Sequence, residues 1–347
     1  MRPVALVGWS RAGRFEDLER GAMRKLSLKA GEGDRIDDSL VVETEDPVAL
    51  ARSLSFFPGV AWVAVGHRFE GMAGYLREVD WLAKRYLSRS RRFRISATVD
   101  ASVEAAGDMV LAGNSEVLST VKGAKVDERD PQVVFRASAS GRRGACGVEI
   151  RRGPGGSPTS GEWAACLASG GERSSAVAWM AALAGYSVRL VHSRTDDSAL
   201  RQVAKLYSEL SNRMDPQALD LVVLEGGGDP IGRVGGWLAG HRGVSFTGWV
   251  PEKAEVAKVA RRFPGLVLPL LLADEGSVRA VYASLNLGRP KGPPTTSKMS
   301  LKGLEVMAKY SKVRFGGVQA DQNVVIDAIK RTGHDRPRTS RTERTAS

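Results

Sequence analysis

The sequence predicts an α+β front half followed by an α/β domain built on a parallel sheet. Three observations carry this expectation. Residues 1–67 read strand, helix, strand, helix, strand; from Glu162 strands and helices alternate one for one; and Arg151-Arg152-Gly153-Pro154-Gly155-Gly156-Ser157-Pro158, which cannot continue a regular element, separates the two regimes.

The front half opens with the apolar strand Val4-Ala5-Leu6-Val7, and Phe15, Leu18, Ala22 and Leu26 then recur at helical spacing. A Gly/Asp-rich break at 31–34 precedes a strand at Leu40-Val41-Val42, a helix from Pro47 to Leu54 and a strand over 59–65. Short elements in that order make a small sandwich of ferredoxin-like style, expected to end near His67. Residues 70–87 read as an amphipathic helix burying Met72, Leu76, Val79, Ala83, Tyr86 and Leu87, with Arg77, Glu78, Asp80 and Lys84 opposite. A strand over 93–99, a helix around 110–118, and a hairpin from Gln132–Ala137 through Ser140-Gly141 to Gly147–Ile150 complete the half.

Behind the linker, strands are expected at 163–168, 187–192, 219–224, 244–248 and 266–272, with helices at 174–184, 198–211, 233–239, 252–263 and 275–285. Strands separated by helices require crossover connections and therefore a parallel sheet. The proline-rich segment 288–298 ends this layer, residues 301–329 carry two further helices, and the tail from Arg331, with five Arg against two acids, is expected to be disordered.

Composition narrows the chemistry. Lys plus Arg number 51 against 39 Asp plus Glu, a net charge of +12. Six of those cations, Lys84, Arg85, Arg89, Arg91, Arg92 and Arg94, fall in one run that contains no acid and includes Tyr86 and Phe93; Arg142, Arg143, Arg151 and Arg152 belong to the same module. Unbalanced cations interleaved with aromatics are the footprint of a nucleic-acid surface. Two cysteines, Cys146 and Cys166, exclude a disulfide scaffold and read as small core residues. Four scattered histidines give no metal-ligand spacing, so no metal site is expected. The longest near-apolar run, 266–273, is far too short to span a bilayer, and the N-terminus has no secretory apolar segment, so the expectation is a cytoplasmic protein without membrane contact.

The segment with the most chemistry is Ser169-Gly170-Gly171-Glu172-Arg173-Ser174-Ser175. A buried strand runs into a glycine turn and straight into a helix, so backbone N–H groups and the positive helix end converge on a point where an anion fits. A Cβ at either glycine would obstruct that approach, and the hydroxyls of Ser169, Ser174 and Ser175 are expected to donate. His192 ends the second parallel strand at the ligand edge of the sheet and reads as a satisfied edge histidine that could also touch a base. The cluster Glu225-Gly226-Gly227-Gly228-Asp229-Pro230 fails dinucleotide spacing, because Ile231 occupies the third glycine position, and reads as a loop.

The Ser-Gly-Gly turn opening an α/β domain resembles the PP-loop, whose pattern is Ser-Gly-Gly-x-Asp-Ser. Ahead of it, Val148-Glu149-Ile150-Arg151-Arg152 with its Gly/Pro linker resembles the end of a THUMP domain. Gly8-Trp9-Ser10-Arg11 and Phe57-Pro58-Gly59-Val60 resemble the ferredoxin-like domain that precedes such modules. In this order, over residues 1–298, they resemble the tRNA 4-thiouridine synthases, also known as thiamine-biosynthesis sulfurtransferases. The resemblance implies ferredoxin-like (1–67), THUMP (68–160) and PP-loop, adenine nucleotide alpha hydrolase-like (161–298) domains, then a helical extension (299–330) and the tail (331–347). It implies tRNA as partner, ATP and Mg²⁺ as cofactors, and chemistry in which a uridine carbonyl is adenylated and sulfur replaces the activated oxygen.

The chain departs from that pattern at three places. Arg173 stands at the aspartate position, Thr247-Gly248-Trp249 replaces the family's Thr-Gly-Glu, and Leu287 approximates the catalytic cysteine ahead of Pro294-Thr295. Glu172 is the nearest remaining acid but should point to another side of the helix start. Residues 299–347 are too few for a rhodanese module. Two expectations follow: a tRNA-binding protein whose nucleotide site has decayed, partnered by a separate modification enzyme; or an ATP-dependent thiolation enzyme in which Arg173 clamps phosphate directly and an external donor supplies sulfur. The replaced acids leave neither ATP nor Mg²⁺ assigned to this chain.

Overall fold

The structure is a computed structural model that describes residues 3–9, 15–25, 33–37, 39–87, 91–100, 103–226, 230–241, 243–249, 266–270 and 273–288. The chain forms two compact units: Met1–Gly161 with Ala182–Tyr186 and Arg213–Pro216, and Glu162–Ala181 with Ser187–Asn212 and Gln217–Ser347. A mixed eight-stranded sheet builds the first and a parallel five-stranded sheet the second, the α+β then α/β fold class that the pattern predicts.

In the first unit, β1 (Pro3–Trp9), β2 (Gly33–Ile36), β3 (Ser39–Glu43), β4 (Val60–Glu70), β5 (Arg92–Val99), β6 (Lys125–Val126), β7 (Val133–Ser140) and β8 (Arg143–Arg152) pair in the order β2-β3-β1-β4-β8-β7-β5-β6. Strand alternation sends every second side chain to the face that carries the helices. There α1 (Phe15–Lys25) and α2 (Pro47–Leu54) cover Ala5, Val7, Leu40, Val42, Val63 and Val65, with Ala22, Ala51 and Leu54 facing inward. Further along the same face, α3 (Gly71–Tyr86) and α4 (Val103–Thr120) cover Phe93, Ile95, Phe135, Ala137, Cys146 and Val148.

Helix α2 starts at Pro47, where a missing N–H costs nothing, and its Asp46 side chain accepts from the Ala49 N–H. On the opposite face, Val4, Leu6, Ile36, Val41, Ala64 and Ala145 form a second cluster. Ser39 of β3 and Ser138 of β7 share a 2.6 Å hydrogen bond although three strands lie between theirs in the sheet order. The sheet therefore coils back on itself and encloses that cluster.

Three details correct the sequence expectation. The Gly/Asp break holds the edge strand β2, which its polar residues conceal; its pairing to β3 supplies the order its composition does not. Helix α3 is turned about its axis: Tyr75, Glu78, Val79, Leu82 and Ala83 are buried, while Met72 and Tyr86, expected inside, are exposed. Glu78 tolerates burial because His67 Nδ1 donates to its carboxylate at 3.0 Å. Phe93, expected among surface aromatics, is fully buried.

The second unit contains β9 (Trp163–Leu167), α5 (Glu172–Leu183), β10 (Ser187–Ser193), α6 (Asp197–Ser211), β11 (Leu219–Leu224), α7 (Pro230–Gly240), β12 (Val244–Phe246), β13 (Leu266–Val267) and α8 (Glu275–Ser284). The strand order is β11-β10-β9-β12-β13, all parallel. The order reverses between β9 and β12, and the crevice at such a reversal is where open α/β sheets bind ligands. Side chains Asp196 and Asp274 cap α6 and α8, each accepting from a first-turn N–H. The last expected strand is shorter than its 266–272 pattern, giving way after Val267 to a turn at 269–270. The helices expected at 252–263 and 301–329, and the tail from Arg331, lie outside the described residues.

Gly66 of β4 stands opposite Gly147 of β8, and a Cβ at Gly66 would lie 1.9 Å from the Cys146 carbonyl oxygen. We expect Gly66→Ala to destabilise the first unit by about 1–3 kcal/mol, the range for forced overpacking, seen as a lowered thermal midpoint. Cys146 and Cys166 are buried in the sheets, and burial pushes both thiols up from their ordinary pKa. In native protein neither should react with an aqueous thiol reagent at neutral pH, and both should react in denaturant; titration of free thiols checks this.

Candidate functional site

The glycine turn lies at the C-terminal end of β9, at the point where the strand order reverses. Gly170 has φ +83°, and a Cβ there would approach Gln202 Cβ to 3.0 Å, so the turn demands glycine on two grounds. Its hydroxyls point inward, contrary to the sequence expectation. Ser174 Oγ accepts from the Ser169 N–H at 3.3 Å, lies 3.1 Å from Ser169 Oγ, and itself donates to the Gly171 carbonyl at 3.1 Å. Ser175 Oγ donates to that same carbonyl at 2.9 Å. Both Ser174 and Ser175 are buried, so their hydroxyls hold the turn's own shape.

Thr247 and Gly248 follow β12, and Gly248 meets the start of α5. A Cβ on Gly248 would lie 2.9 Å from the backbone nitrogen of Ser174, so only glycine fits against the start of α5. Thr247 is buried and its Oγ1 accepts from the Trp249 N–H at 3.3 Å. Trp249, at the position where the family has an acid, packs with Ala165, Leu167, Val191 and Leu224 as core. Leu287, near the family's cysteine position, is likewise a buried apolar residue.

Charge at the turn is arranged in an unexpected way. The Arg173 guanidinium donates to Glu275 in the first turn of α8. Tyr282, two turns along α8, is pushed up from its ordinary pKa by burial and then by the charge of Glu172. Both residues that follow the glycines thus engage α8. Among the described residues there is no group of three or more His, Cys, Asp or Glu side chains that could hold a metal ion. A guanidinium already paired to a carboxylate, beside hydroxyls used internally, does not fit a magnesium-bound triphosphate.

His192, the last residue but one of β10, lies beside the turn, buried, with Nδ1 donating to the Ala168 carbonyl at 2.8 Å. Burial lowers its pKa, against a smaller opposing effect of that carbonyl, so the ring is neutral and Nε2 is an acceptor. Nε2 is buried without a hydrogen-bond partner among the described residues, which leave the histidine half satisfied.

Sequence reasoning missed Arg233 on α7, which joins three segments by donating to Ser193 Oγ at 3.0 Å, to the Arg194 carbonyl at 2.8 Å and to the Gly226 carbonyl. Arg194 in turn donates to Glu225 and Asp197, at 2.7 and 2.8 Å. Residues 225–226 form an irregular segment after β11, as expected, and 227–229 lie outside the described residues.

In the first unit the basic run is divided. Phe93 and Ile95 face α3 and α4, so alternation carries Arg92 and Arg94 to the other side of the sheet from Lys84 and Arg85. Acids from elsewhere in the chain also reach the run. Lys84 pairs with Asp80 at 2.7 Å, and Arg92 with Asp127 and Asp130 at 3.3 and 2.7 Å. Arg85 stacks on Trp81 and Tyr86, Arg151 lies over Phe56, and Arg142 is 3.9 Å from Glu70. Arg91 and Arg143 are exposed, and Arg89 lies outside the described residues.

One positive cluster on this unit includes a residue that the run does not contain. Arg136 of β7 donates twice to Glu149, from Nε at 2.8 Å and Nη2 at 2.6 Å, and to Ser96 Oγ at 2.9 Å, with Trp62 beneath it. Arg152 approaches the same carboxylate at 3.5 Å. Burial lowers the pKa of Arg136; Glu149 opposes that shift, and the positive charges of Arg94 and Arg152 add to it. Three guanidiniums thus gather on the sheet face opposite α3, two of them on one carboxylate. The only sequence signal was a polar residue alternating out of an apolar strand.

No protein-family model and no curated protein matches the chain. Solved structures share its fold. PH1313 from Pyrococcus horikoshii Ot3 superposes with a TM-score of 0.60 at 19% identity, covering 82% of this chain and 99% of the other. A 4-thiouridine synthetase–RNA complex with bound ATP superposes with a TM-score of 0.57 at 16% identity, covering 95% of this chain and 98% of the synthetase. The fold of this chain is thus similar to that of a 4-thiouridine synthetase.

Proposed function

We propose that the chain is a tRNA-binding protein built on the 4-thiouridine synthetase plan, with a nucleotide turn that no longer catalyses. The observation that carries the reading is the Arg173–Glu275 pair. It puts a cation where adenylation chemistry needs a metal-binding acid and supplies that cation with an anion from within the protein. Support for RNA binding comes from the Arg94, Arg136 and Arg152 cluster and from a fold shared with a protein solved on RNA. The proposed division is 1–67, 68–160 and 161–298, with 299–330 and 331–347 as appendages. In this reading a separate enzyme modifies the RNA.

A second reading keeps ATP-dependent thiolation with an external sulfur donor. One observation favours it: His192 Nε2 is an acceptor without a partner among the described residues, beside the turn, as a site that still receives a donor group would have. ATP affinity of the wild type and of Arg173→Ala separates the readings, since absence of binding in both removes this one.

Two outcomes are expected. With tRNA, ATP and Mg²⁺ present, pyrophosphate release stays at background; turnover above it would overturn the proposal. tRNA affinity falls linearly on a log–log plot against salt, by about 0.9 per phosphate neutralised, and Arg94→Gln and Arg152→Gln each flatten that slope by about one contact. Arg136 is unsuitable for this test because its removal strands Glu149, whose side chain is 8% exposed, without its principal partner. Slopes unchanged in both variants would move the RNA surface elsewhere.

A further inference from the structure

We propose that Trp81 and Arg85 on α3 form a stacking platform for one unpaired nucleobase of a bound RNA strand. The inference rests on the RNA-binding reading and adds to it a second contact area, on the opposite side of the sheet from the arginine cluster.

Helical spacing lines up Arg77, Trp81 and Arg85 at intervals of one turn. Trp81 is 39% exposed and Tyr86 38%, and their ring centroids lie 6.4 Å apart, so the two rings form one exposed aromatic pair. The Arg85 guanidinium lies 5.5 Å from the indole centroid and 5.9 Å from the phenol centroid, within cation–π range of both. Behind the indole, the His67 ring stands edge-on at 4.7 Å and 71°. His67 is itself held by the buried carboxylate of Glu78 at 3.0 Å. The platform is therefore braced before any ligand arrives, which lowers the entropy lost on binding.

Charge selects the partner. Of the acids on α3, Glu78 is held by His67, and Asp80 is taken up by Lys84 at 2.7 Å and by the Thr120 hydroxyl at 2.8 Å. Its carboxyl is held below the usual range, chiefly by the Lys84 hydrogen bond. One turn earlier, Arg77 is exposed without an ion-pair partner among the described residues and lines a cleft of about 600 Å³ with Arg68 and Arg143, where Glu70 and Glu78 are the acids. A flat aromatic ring between guanidiniums suits a base flanked by phosphates. The base must be unpaired, because a duplex hides its base faces while a single strand presents them.

The test compares a ten-nucleotide single-stranded RNA with a blunt RNA duplex at one fixed salt concentration. Trp81→Ala is expected to weaken single-strand binding about tenfold, within the range for loss of one base–aromatic stack, and to leave duplex binding within about twofold. Trp81→Phe retains most of the single-strand affinity. A bromouridine-substituted strand should photo-crosslink the wild-type peptide 78–84, a readout independent of how any variant folds. Equal single-strand affinity in wild type and Trp81→Ala, or crosslinks confined to other peptides, overturns the inference while leaving RNA binding intact. A Trp81-dependent dimer with unchanged single-strand affinity overturns it too, assigning the ring to a second copy. If the wild type binds neither RNA, the RNA-binding reading falls, and this inference with it.

Discussion

The first unit depends on one antiparallel pairing, that of β4 with β8, where Gly66 and Gly147 face each other with no room for a β-carbon. β4 is the strand that belongs to both helix layers. Its Val63 and Val65 lie under α1 and α2, while further along the same face His67 and Phe69 lie under α3. Without this close seam the strands beneath α1 and α2 would have no continuous backbone ladder to those beneath α3 and α4. The coiling that brings Ser39 to Ser138 needs the same continuity.

Much of this was legible in the sequence, for a physical reason. Strands buried on both faces read as apolar runs, and the α/β alternation after Glu162 imposes a parallel sheet whatever the details. Helix α2 was readable to the residue, because Asp46 and Pro47 mark its start. The face of α3 was not, because Glu78 pairs inside with a histidine from another strand and Trp81 stands outside. Periodicity assigns charged residues to solvent and large apolar ones to the core, and both assignments invert here. Nor was β2 legible, since an edge strand pairing on one side tolerates polar residues that composition assigns to a turn.

The candidate site was half legible. Local pattern located the Ser-Gly-Gly turn, and the reversal of strand order placed Gly248 against the start of α5. What the pattern could not supply was the use to which each group is put. Hydroxyls that look available in sequence close hydrogen bonds within the turn, and the acid that answers Arg173 comes from 102 residues away. Arg136 was invisible for the same reason, since its place among Arg94, Arg152 and Glu149 exists only once three strands are in register.

The Arg173–Glu275 pair also bears on how such a site could change over time. An aspartate introduced at 173 would confront the Glu275 carboxylate across the gap the guanidinium now fills, and two like charges at that distance repel. Placing an acid at the turn therefore requires a matching replacement on α8, since an acid at 173 alone faces Glu275 and loss of Glu275 alone leaves Arg173 uncompensated. The two positions, a hundred residues apart, are therefore coupled, and neither can change its charge without the other.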